Sequence, residues 1–155
     1  MNIKKISKEQ ALLQIRQFCV YRERCHSEVK EKLYALGLYK NDVEQLMAQL
    51  IEENYLNEER FAKQYAGGKF RMNNWGRVKI KYARRQKQVS EYSIKKGLKE
   101  ISESDYKKTL QKLAEQKLKT LKNESNVFSK RKKLQDYLLQ KGYEGELVRE
   151  LVKEK

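Results

Sequence analysis

The chain has 155 residues, with 36 Lys+Arg against 21 Asp+Glu, a formal charge of +15, 39% apolar residues and 10% aromatic. That apolar share excludes a disordered basic tail, and the charge leaves room only for a thin core. Proline is absent, against an all-β chain, no apolar run approaches the roughly 18–20 residues of a membrane span, and "MNIKKISKEQ" has no apolar segment long enough for a signal peptide, so a cytosolic protein without membrane contact is expected.

The first predicted helix follows Ser7, which with Gln10 forms a capping box, and carries Leu12, Ile15 and Cys19 on one stripe. The next covers "VKEKLYALGL", residues 29–38, with Val29 and Leu33 four apart on one face and Gly37 positioned to end it. A third helix is predicted behind Asn41 as its cap, with Val43, Leu46, Met47 and Leu50 as the stripe. In "YLNEERFA", Asn57 caps a fourth helix running to Asn73. Glu58 and Glu59 sit in its first turn, where the helix dipole favours anions. Leu56 and Phe61 occupy the positions of a hydrophobic staple. Helices over 76–87 and 90–101 follow, then 104–122, 129–141 and 144 to the end. "LKNESNVFSK", residues 121–130, reads as the one weak joint, letting the end of the chain move relative to the middle.

Three segments align without gaps: 29–38, "IKYARRQKQV" at 80–89 and "LQDYLLQKGY" at 134–143, offset by 51 and 54 residues. Val29, Ile80 and Leu134 open them; Leu33, Arg84 and Leu138 follow four on, then Gly37, Gln88 and Gly142, then apolar Leu38, Val89 and Tyr143. A period near 50 residues marks a repeat architecture. The predicted fold is all-α: three tandem three-helix repeats over 1–55, 56–101 and 102–155, each too small to stand alone and therefore packed end to end as an elongated, curved solenoid. Gln88 and Arg84 are the odd members. A non-glycine at the helix end is costlier, and an arginine on the core stripe either snorkels to water or contacts a phosphate or carboxylate.

The charge is concentrated. Residues 1–60 hold 10 cations and 10 anions, residues 61–101 hold 12 and 2, and residues 102–155 hold 14 and 9. Such a block points to a polyanionic partner rather than to solubility alone. On the helix "GRVKIKYARRQK", Ile80 faces one way and Val78 with Tyr82 the other, as if one stripe served its own core and one a neighbouring repeat. The candidate binding residues are Lys69, Arg71, Arg77, Lys79, Lys81, Arg84, Arg85 and Lys87 in the middle third. A second basic run adds Lys130, Arg131, Lys132 and Lys133, placed at a helix start that the dipole makes unfavourable for cations. A merely solvated face is the alternative for both.

Cys19, Cys25 and the lone His26 do not have zinc-site spacing, and the chain has no other Cys or His. They read as two reduced thiols, Cys19 on a core face. One histidine removes most acid–base constellations, and Asp42, Glu52, Glu53, Glu58 and Glu59 are placed by helix ends rather than as a Mg²⁺ site. No enzyme activity, metal or cofactor is expected.

"YLNEERFAKQY" resembles the tyrosine-leucine-asparagine-acid-x-arginine-phenylalanine-alanine signature of the RecX family, and "WGRVKIKYARRQKQV" is similar to that family's tryptophan-glycine-proline-x-arginine-isoleucine helix. The resemblance covers nearly the whole chain, repeat layout included. It implies a bacterial regulator of the RecA recombinase that is not an enzyme. Such a regulator lies in the groove of the RecA–single-stranded-DNA filament, restrains its assembly, ATPase and strand exchange, and binds DNA directly but more weakly. A monomer is expected. The chain departs from the family pattern at Arg77, where the family has proline, and at Gln88, where it has glycine. The rival reading is a general DNA-binding protein with helix-turn-helix geometry.

Overall fold

The computed structural model describes residues 6–155 and contains, among them, nine α-helices and no strand. Helices α1 (Lys8–Tyr21), α2 (His26–Ala35) and α3 (Lys40–Glu52) come first. Then come α4 (Glu58–Asn73), α5 (Arg77–Ala83) continued by a 3-10 turn (Arg84–Lys87), and α6 (Glu91–Leu98). The last three are α7 (Glu103–Thr120), α8 (Val127–Gln140) and α9 (Gly145–Lys153). Three tandem three-helix repeats result. The accessible surface, 10534 Å² for an 18.6 kDa chain, exceeds the about 8,200 Å² of a compact protein of that mass, as an elongated solenoid requires.

Most helix starts are set by side-chain caps. Ser7 and Gln10 form the expected box on α1, and Asn57 Oδ1 accepts from the Arg60 amide at 2.9 Å. Helix α3 begins at Lys40 behind Tyr39, not behind Asn41. Ser102 caps α7, and Asn126 caps α8 through the amides of Phe128 and Ser129, so α8 starts two residues earlier than predicted. On α1 the buried stripe is Ala11, Ile15 and Cys19, with Leu12 half-buried beside it.

The repeats divide into two cores. Ala11, Ile15, Val29, Leu33, Val43, Leu46 and Leu50 of repeat 1 make the first, closed by Leu56 from the start of repeat 2. The second runs without a break from Phe61 and Phe70 through Ile80 and Ile94 to Tyr106, Leu134, Tyr143 and Val152, and it also takes in Cys25 from the start of α2. Leu56 and Phe61 therefore go to different cores and do not staple α4. The 121–126 segment joins α7 to α8 inside repeat 3, and repeats 2 and 3 share one core, so the expected movement between them is not what the fold provides.

The three aligned segments end as their pattern implies. Gly37, Gln88 and Gly142 all take positive φ, at 94°, 55° and 100°. Gln88 bears the side-chain penalty of that conformation where the others do not. The helix before it tightens into 3-10 geometry, with Gln88 N–H on Arg85 O and Val89 N–H on Arg84 O. Arg84, standing where its counterparts bury leucine, turns its guanidinium to the Val89 carbonyl at 3.0 Å.

Candidate nucleic-acid interface

Helix α5 is held from its N-terminal end. The first amides of a helix lack intrahelical acceptors, and here repeat 3 supplies them. Gly76 N–H donates to Lys141 O at 2.8 Å, Arg77 N–H to the Tyr106 hydroxyl at 2.9 Å, and Val78 N–H to Gly142 O at 2.9 Å. The turn that follows α8, together with Tyr106 of α7, thus caps the first turn of α5. The approach is so close that a Cβ on Gly142 would lie 2.2 Å from Lys79 Cβ. Tyr143 Oη closes the joint on Asn74 O at 3.0 Å. Tyr106 is fully buried and its hydroxyl donates to Glu144, so burial and that carboxylate push its ionisation far above the ordinary tyrosine value.

This joint absorbs Arg77. Its guanidinium lies 3.8 Å over the Tyr106 ring and pairs with Glu144 at 2.7 Å and with Glu103. The family's proline at this position would have no N–H for Tyr106; this chain uses both the amide and the side chain of Arg77 as inter-repeat contacts.

The other candidates sort by what surrounds them. Lys69 and Lys79 place their ammonium groups 4.8 and 4.6 Å from the centroid of the half-buried Trp75 ring. Arg71 folds back over Gly67 on α4. Lys81 points into a groove between α5 and α6 that it shares with Lys95 and Lys99. Arg85 lies 5.4 Å over Tyr82. Lys87 offers its carbonyl to Ser27 Oγ at 2.9 Å, and its charge helps hold Glu28 below the ordinary range after burial and the Cys25 hydrogen bond have acted. Among the described residues Lys69, Lys79, Lys81, Arg85, Lys130 and Arg131 form no ion pair, whereas Lys132 pairs with Asp136 and Lys133 with Glu124.

The structure therefore brings together Lys69, Lys79, Lys81 and Arg85 around α5. It does not join them to the second run, because Lys130–Lys133 occupy the N-terminal half of α8 and α5 meets that helix at its C-terminus. At 1.5 Å per residue the separation is about 15 Å. Lys95 and Lys99, four residues apart on and just after α6, escaped the sequence reading. Their spacing on one helix face was the available signal.

The second stripe of α5 is also not what the sequence implied. Val78 and Tyr82 do not pack on a neighbouring repeat; they are 51% and 70% exposed, because repeat 3 meets α5 end-on rather than along its side. Among the described residues no helix is long and apolar enough to cross a membrane and no cluster of His, Cys, Asp and Glu could hold a metal. Cys19 and Cys25 are buried free thiols, and burial pushes both above the ordinary thiol value.

Two family models match this chain, that of the RecX second three-helix domain over residues 57–98 and that of its third three-helix domain over residues 103–152. Regulatory protein RecX of Clostridium perfringens strain 13 is 33% identical over 131 residues, covering 84% of this chain and 61% of that protein. Regulatory protein RecX of Clostridium botulinum strain Eklund 17B is 27% identical over 132 residues, with the same coverage. The chain thus spans about 61% of the length of these curated relatives. The crystal structure of RecX from Lactobacillus salivarius superposes with a TM-score of 0.86 at 19% identity over 95% of each chain. A second RecX crystal structure gives 0.83 at 21%, covering 96% of this chain and 73% of that one. With the matched models spanning repeats 2 and 3, and the fold shared from end to end, the chain belongs to the RecX family of regulatory proteins.

Proposed function

We propose that this protein is a cytosolic, non-enzymatic modulator of the RecA recombinase. It binds the RecA–single-stranded-DNA filament as a monomer and restrains filament assembly, ATPase and strand exchange, and so tempers recombinational repair and the SOS response. Direct binding to single strands, and more weakly to duplex, accompanies this. Family membership supplies the partner. The observation that carries the nucleic-acid part is the set of lysines and arginines on and beside α5 that have no carboxylate partner. Arginines with acidic or backbone partners, such as Arg77 and Arg84, belong to the scaffold instead. Cations held apart from one another by a helix and left out of ion pairs favour association with a polyanion, whose condensed counterions are released on binding.

The test is RecA's DNA-stimulated ATPase with this protein titrated in at substoichiometric ratios. Inhibition well below one molecule per RecA is expected, and an unchanged rate across a wide range sinks the proposal. A salt-matched comparison of several duplexes with single strands separates the helix-turn-helix rival. A sequence-reading protein prefers one duplex, whereas a filament modulator shows little base preference.

A further inference from the structure

Tyr82 is the residue of α5 for which the scaffold has no use. Ile80 is fully buried in the core, while Val78 and Tyr82, four residues apart on the far side, stand 51% and 70% exposed. At 100° per residue, Lys79 and Lys81 fall on the two flanks of that ridge. The guanidinium of Arg85 lies 5.4 Å from the centroid of the Tyr82 ring. An apolar docking patch for a protein would surround the ring with further apolar side chains. Here the helix positions that flank Tyr82 include, besides Val78, three cations, Lys79, Lys81 and Arg85, none of which forms an ion pair among the described residues.

We propose that Tyr82 is a stacking platform for an unpaired nucleobase, with Lys79, Lys81 and Arg85 holding the phosphates on either side of it. The inference rests on the nucleic-acid reading above and adds a contact to the base, which a purely electrostatic surface lacks. A π-face accepts any base, so the contact is tolerant of sequence. It also selects single strands, because the bases of a duplex are already stacked on each other.

The experiment measures binding of a labelled thymidine oligomer of about 20 nucleotides, longer than the ~4–16 nucleotide sites such surfaces occupy. An abasic oligomer of the same length, with the same phosphates and no bases, serves as the second probe. Tyr82→Ala is expected to weaken binding of the thymidine oligomer by about 5- to 150-fold, the range for one stacked base. It leaves the abasic oligomer and the salt slope unchanged, and Tyr82→Phe binds as wild type. The proposal is overturned if Tyr82→Ala matches wild type on the thymidine oligomer or loses equally on both probes. It is also overturned if the variant keeps DNA affinity but loses inhibition of RecA, which would make the ring a protein contact. The double variant Lys81→Glu/Arg85→Glu separates the two levels. If it binds the abasic oligomer like wild type, the nucleic-acid reading itself fails; if it binds weakly while Tyr82→Ala does not, only the stacking fails.

Discussion

Asn57 and Arg60 show how one short polar stretch becomes a corner. Asn57 satisfies the Arg60 amide, and the Arg60 side chain turns back to Glu23, to Asn54 Oδ1 at 3.2 Å and to the Asn54 carbonyl at 3.1 Å. "YLNEERFA" therefore fixes the angle between repeats 1 and 2 and presents no reactive constellation. Replacing Asn57 by Ala is expected to cost about 1 kcal/mol in urea unfolding, with inhibition per folded molecule unchanged; a specific loss of activity with the fold intact would return the stretch to the binding surface. Arg77 is the matching case at the other joint. Its charge-assisted bond to Glu144 is partly buried, while that to Glu103 is exposed, so Arg77→Ala should lower stability by about 1.5–3 kcal/mol, most of it from the Glu144 bond. Because that charge is already met by carboxylates, single-strand affinity should fall far less than in Lys81→Glu. An equal fall in both variants would place Arg77 on the interface.

At the scale of elements, the helix stripes and the caps Ser7 and Asn57 were legible, and the use of each face was not. Val29, Ile80 and Leu134 are all fully buried, as their shared position in the repeat implies. Gln88 adopts the left-handed conformation read from its glycine counterparts. These features depend on the chain within a few residues. The exposure of Val78 and Tyr82, the role of Arg77 and the groove that unites Lys81 with Lys95 and Lys99 depend on where another helix arrives, and no local pattern encodes that α8 meets α5 end-on. Leu56 and Phe61 kept their staple spacing yet went to separate cores for the same reason. The functional consequence falls on α5 as a unit. The triple variant Lys79→Glu/Lys81→Glu/Arg85→Glu should flatten the dependence of log affinity on log salt by about 0.7 for each single-strand phosphate that it no longer neutralises. Arg84→Glu should instead be read first in stability, since it removes the bond that holds the Val89 carbonyl. A salt slope identical to wild type in a folded triple variant would remove α5 from the binding surface.

The whole molecule is two units of unequal size joined at α2 and α4, and pH and exchange should both find the joint. Glu28 and Glu58 lie beside it. Burial raises each carboxyl, but the Cys25 thiol and Arg22 on Glu28, and the hydroxyl and amide of Ser90 on Glu58, outweigh it and hold both below the ordinary value of 4.5. A depressed pKa in the fold means that the unfolded chain binds more protons as pH falls. The stabilisation is complete above about 4.5 and drains away below it, and Glu58→Gln should reduce that acid loss in urea titrations. Native-state amide exchange makes the sharper demand. Repeat 1 closes on a smaller core than the continuous one of repeats 2 and 3, and smaller cores are less stable. What ties it down is Cys25 inserted into the larger core, Ser27 on the Lys87 carbonyl, and Arg60 on Glu23. All but the last act on the first turn of α2. Amides of α1 and α3 should therefore exchange through a partial opening of lower free energy than those of α4 to α9, with the start of α2 following the larger unit. Opening of that kind leaves α5 and its cations in place, so single-strand affinity should persist under conditions where repeat 1 is already exchanging. Uniform exchange free energies from α1 to α9 would show instead that the two cores fold as one.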